Sequence, residues 1–164
     1  MPRRPAPEPA LRRLRLFSTI ALGMFVVIIA VITLWPGPPA ADGQRWLREF
    51  LRQAHEHGFP LWITFGRIEF GSNVAMFVPI GLFGALSLPW HRWLIVPAAA
   101  LASIGIETIQ AMALPLRYAS VKDVIANTVG ALSGYLVAAA IVALLHRRAG
   151  RARQVLPAPA RALR

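Results

Sequence analysis

LFSTIALGMFVVIIAVITLW, residues 16–35, is a run of twenty residues without a formal charge. At about 1.5 Å per residue, a helix of that length crosses a hydrocarbon core about 30 Å thick. Three similar runs follow along the chain. FGSNVAMFVPIGLFGALSLP (70–89) is uncharged, WLIVPAAALASIGIETIQAMAL (93–114) is broken only by Glu107, and the run from about Val124 to Leu145 carries no formal charge. Four spans in 164 residues leave little chain for a water-soluble domain. The expected fold is an all-α membrane protein with four transmembrane helices in one bundle at about 16–35, 70–89, 93–114 and 124–145. A basic tail at 1–15 and a basic disordered tail at 146–164 flank that bundle. The first run is longer than the 7–15 residues of a signal-peptide core, and Pro36-Gly-Pro-Pro follows it without a small-residue cleavage site, so a retained anchor is expected.

Composition agrees with this reading. Hydrophobic residues make up 56% of the chain and charged residues only 15%, against about 25% in soluble domains. The net charge of +11 raises the question of nucleic acid, but the basic residues cluster in tails of Pro, Ala and Arg that lack the interleaved aromatics such binding needs. No nucleic-acid partner is expected. The absence of cysteine excludes disulfides, thiolate metal sites and cysteine nucleophiles. His55, His57, His91 and His146 are scattered and match no zinc signature, so no metal or cofactor is expected.

Charge placement also orients the chain. The N-terminal tail, Arg92 and the C-terminal tail hold twelve basic residues, whereas the two longer loops hold six. By the positive-inside rule both termini face the cytoplasm and the longer loops face outward. In the first of these loops, Trp46, Leu47, Phe50, Leu51 and Ala54 recur at helical spacing among Arg45, Arg48, Glu49 and Arg52. Asp42 is the expected N-cap, and Gly58 with Pro60 the stop. This short amphipathic helix either lies in the outer interface or folds over the bundle.

The residues that bear on function are polar ones within or beside the spans. Ser103, Glu107 and Gln110 share one face of the third span, and Asp123 and Asn127 share one face of the fourth. Counted from the outer ends, Asn73 and Asn127 lie roughly 5–6 Å in, Gln110 about 6 Å and Glu107 about 10 Å. These residues fall in one layer. A carboxylate inside a span costs about 2.5–3.5 kcal/mol on insertion scales, so Glu107 should face the bundle and have a partner. Arg117 is the nearest cation in sequence, with Lys122 and Arg67 behind it. Asn73, Glu107, Gln110, Arg117, Asp123 and Asn127 are therefore expected to form an outward-facing polar pocket. Pro79 and Gly81 are read as kink and packing positions in the second span, and Gly130 and Gly134 as a packing face in the fourth.

Taken in order, these pieces resemble the VanZ family of small bacterial membrane proteins. They are Asn73-x-x-x-Phe77-x-Pro79-x-Gly81, Ser103-x-x-Ile106-Glu107-x-x-Gln110, Arg117, and Asp123-x-x-x-Asn127-x-x-Gly130. The resemblance covers about Arg67 to Gly134; Ser120-Val-Lys before the last motif departs from the family's usual short polar stretch. It implies a multi-pass protein of the bacterial cytoplasmic membrane and an association with resistance to the glycopeptide teicoplanin. The partners expected are membrane lipids and, at the pocket, a lipid-linked envelope precursor or glycopeptide-type ligand. A homo-oligomer stays open. Two rival readings are a membrane enzyme using Glu107 and Asp123 as acid and base on a lipid-linked substrate, and a small proton-coupled transporter.

Overall fold

The computed structural model describes residues 9–34, 41–113 and 120–155, with side chains apart from those at 9–10, 41–43 and 148–155. Five helices follow in chain order: α1 (Pro9–Leu34), α2 (Ala41–Glu56), α3 (Phe65–Ser87), α4 (Ile95–Ala113) and α5 (Val121–Val155). A single 3₁₀ turn, Arg92–Leu94, leads into α4. Four segments are long and apolar enough to cross a membrane: Leu11–Leu34, Phe65–Ser87, Arg92–Ala113 and Val121–Arg147. The expected four-span, all-α architecture with an amphipathic helix between the first two spans is thus present.

Most element ends lie within two or three residues of expectation, and three extend well beyond it. α1 begins at Pro9 within the expected basic tail, α3 begins five residues before Phe70, and the backbone of α5 continues to Val155, ten residues past Leu145. The first part of the segment expected to be disordered is therefore helical. Hydropathy marks where hydrocarbon ends, whereas a helix needs only its own backbone hydrogen bonds and continues into water.

The packing is that of a bundle in lipid. Buried positions are small: Ala85, Ala99, Ala126, Ala131 and Ala138, with Ile29, Phe77, Ile80 and Ile95 filling between them. Large apolar side chains such as Phe17, Met24, Val27, Leu101 and Leu136 face outward. In water that distribution would be inverted, because large apolar groups would be driven inside. In a bilayer the tails solvate leucine as well as a protein core does, so association depends on close packing of small residues.

The seam between α3 and α5 shows how close. A Cβ added at Gly81 would overlap the Ala131 carbonyl oxygen, one at Gly130 the Val74 carbonyl oxygen, and one at Gly134 the Val78 carbonyl oxygen. These three glycines let two backbones touch. Gly84 does the same for the Ile95 side chain at the start of α4. α3 runs through Pro79 as one helix, and the carbonyls of Val74 and Val78 on that stretch are the ones seated on the glycines of α5.

Candidate functional site

Most hydroxyls in the spans satisfy themselves. Thr19, Thr33, Ser72, Ser87, Thr108, Thr128 and Ser133 each donate to the carbonyl four residues earlier on their own helix. Ser103 is different. It is fully buried, and its Oγ accepts a hydrogen bond of 2.8 Å from Nδ2 of Asn127, joining α4 to α5. The Asn127 Oδ1 is buried without a partner among the described residues.

One turn along α4 from Ser103 sits Glu107, 8% exposed. Its Oε2 accepts 2.7 Å from the backbone N–H of Ser120, the residue immediately before α5. Ser120 is also the N-cap of that helix, since its Oγ accepts 3.3 Å from the Asp123 N–H. The buried carboxylate therefore lies at the positive end of the α5 dipole, which stabilises negative charge. Arg117, the cation expected for it, falls outside the described residues.

Gln110, one further turn along α4, donates 2.8 Å from Nε2 to the backbone carbonyl of Thr33 at the end of α1. Between α5 and α3, the Asp123 carboxylate lies beside the side chains of Asn73 and Ser120. Asn73 is eight residues into α3 and Asp123 two residues into α5. The first turns of α3 therefore project past the start of α5 by about 9 Å.

The residues expected in one layer make contacts distributed over three helix pairs. Asn73 meets Asp123, Glu107 meets Ser120, Asn127 meets Ser103, and Gln110 meets Thr33. A depression of about 370 Å³ opens between α4 and α5, lined by Glu107 and Ser120 among Ile104, Thr108, Met112 and Val124. Of the described residues expected in the pocket, only Glu107 borders it; Asn73, Gln110, Asp123 and Asn127 engage neighbouring helices instead. Pro79 lies within α3, and Gly81, Gly130 and Gly134 form the α3–α5 seam as expected of packing positions.

Two partners escaped the sequence reading. Thr33 contributes a backbone carbonyl, to which no side-chain pattern points. Ser120 had a usable signal, because Ser120-x-x-Asp123 is an N-terminal capping pattern just before an apolar run.

The VanZ/LLP1 family model matches residues 22–144. The chain belongs to the VanZ/LLP1 family. The match runs from within α1 to within α5, so it takes in every membrane-spanning helix and all four polar contacts. Together with the four apolar helices, VanZ/LLP1 membership makes this a multi-pass membrane protein. No curated protein and no solved structure gave a significant match.

Proposed function

We propose that this VanZ-like protein is a non-enzymatic component of the bacterial cytoplasmic membrane. In this reading it contributes to glycopeptide (teicoplanin) resistance by receiving an envelope lipid, a lipid-linked precursor or an amphiphile at the α4–α5 depression. Both termini face the cytoplasm, so the depression opens on the outer side. One observation carries the reading: a single carboxylate, nearly buried, stands at the base of an otherwise mostly apolar recess at one end of the bundle. Such a recess suits a molecule with a polar or cationic group and an apolar body. Exposed Lys122 stands at the same end of α5, where it draws anionic groups toward the recess.

The test is teicoplanin susceptibility of a sensitive host expressing the protein. Wild type is expected to raise the inhibitory concentration. Glu107→Gln keeps an acceptor for the Ser120 N–H but removes the charge, so at equal membrane abundance it should lose the effect. Full resistance from that variant would overturn the assignment to Glu107.

A further inference from the structure

Among the described residues, α2 packs on α3 along one edge. Leu51, 5% exposed, marks that edge. Arg48 fixes it, its guanidinium carbon 4.2 Å from the centre of the Phe65 ring on the first residue of α3. The other edge of the same apolar arc carries Trp46 and Phe50, whose rings stack at 5.4 Å and remain 66% and 51% exposed. Leu61 and Trp62, in the loop before α3, are likewise 75% and 64% exposed. An apolar patch of this kind marks an interaction site.

Its position selects the partner. α3 projects past the polar layer, and α2 is docked at Phe65, the first residue of the apolar span Phe65–Ser87; the end of a span is where hydrocarbon gives way to headgroups. Tryptophan is enriched at that level. The C-terminal end of α2 is secured independently of the bundle. Gly58 at φ +88° closes the helix, with the Phe59 N–H donating to the Ala54 carbonyl at 2.9 Å, and His55 Nε2 lies 3.1 Å from the Ile63 carbonyl.

Charge on the polar side points the same way. Arg52 is held by Glu49 and Glu56, each at 2.6 Å. Arg45 and Arg48 have no carboxylate partner among the described residues, and they border a shallow recess of about 480 Å³ with Gln44 and the paired Glu49 and Arg52, which leaves the recess net positive. Guanidinium presents a planar fork of donors suited to phosphate oxygens. We propose that α2 is an interfacial arm that seats Trp46 and Phe50 among the lipids of the adjacent leaflet and holds phospholipid phosphates with Arg45 and Arg48. This arm is separate from the α4–α5 depression and does not depend on its function.

The test uses the full chain in liposomes. No native cysteine interferes with a spin label at Phe50→Cys. In phosphatidylcholine bilayers the nitroxide should be accessible to oxygen and shielded from an aqueous relaxant, as at a depth below the phosphates. It should move toward water with Arg45→Gln, which leaves the Arg48 contact on Phe65 in place, and also in digalactosyldiacylglycerol bilayers, which lack phosphate. A water-exposed label in phosphatidylcholine overturns the arm, and equal depth under all three conditions overturns the phosphate contact. Spin–spin broadening at high lipid dilution also overturns it, because a second copy would then cover the face.

Discussion

Replacing Gly134 by alanine tests the α3–α5 seam most directly. The added methyl would overlap the Val78 carbonyl oxygen and stand 2.6 Å from the Leu82 amide nitrogen, where ordinary contact begins at 3.4 Å. Both neighbours are backbone and cannot rotate away, so the two helices must part by roughly 1 Å. A gap of that size forfeits roughly a quarter to a half of the dispersion energy at each affected contact. The seam is continuous, so the contacts of Gly130 with Val74 and of Gly81 with Ala131 weaken with it. Overpacking of this kind costs about 1–3 kcal/mol, or roughly fivefold to a hundredfold in the folding equilibrium. Gly23 and Gly105 supply internal controls, because a Cβ at either meets nothing within 4 Å. Their alanine variants should stay within about 0.5 kcal/mol of wild type. Reversible unfolding in mixed micelles with increasing SDS, followed by circular dichroism, reads all three. Equal midpoints for Gly134→Ala and Gly105→Ala would refute the argument that the backbones touch at residue 134.

Three further outcomes are expected. A double-mutant cycle with Ser103→Ala and Asn127→Ala should give a coupling of about 0.6 kcal/mol, and no more than about 1.7, as for other hydrogen bonds between membrane helices; zero coupling in the same SDS assay means that the side chains do not meet. Glu49 lies outside the spans, and its hydrogen bond to Arg52 lowers its pKa from 4.5 to about 2. Because the folded value is depressed, its contribution to α2 is complete above pH 4.5 and is lost as pH falls through about 2; a carboxyl NMR titration with a midpoint near 4.5 would contradict the pairing. Single cysteines placed at Gln53 and His146 should label with an impermeant maleimide on opposite membrane faces, Gln53 from outside, and reversed labelling would invert the assigned topology.

The number of spans was legible because an apolar run of about twenty residues has few alternatives. Helix ends were not, since Arg67 and Glu69 read as loop yet occupy the projecting turns of α3, where water tolerates both charge and helix. The shared face of Ser103, Glu107 and Gln110 was readable from spacing, and all three are buried. What they meet was not. Those residues lie on a single helix, but each partner depends on how α1 and α5 are rotated and shifted against α4, which no local pattern encodes. The single pocket expected from a common depth became separate contacts for that reason: residues at one level still face different neighbours.

The two kinds of packing divide the bundle's tasks. α3 and α5 are held by a glycine seam, which depends on shape, with the Asn73–Asp123 contact beside it. α4 joins α5 through Asn127–Ser103 and Ser120–Glu107, and joins α1 through Gln110–Thr33. Exchangeable hydrogen bonds therefore hold the helix that walls the depression. Under the proposed function, a ligand group that binds Glu107 would compete with the Ser120 N–H at the start of α5, and occupancy of the recess would be coupled to the α4–α5 contact. Glu107→Ala removes both the helix contact and the ligand contact, so its phenotype has two explanations. Glu107→Gln retains the first and alters the second. The separation between those variants, in stability on one side and susceptibility on the other, distinguishes a binding residue from a packing residue.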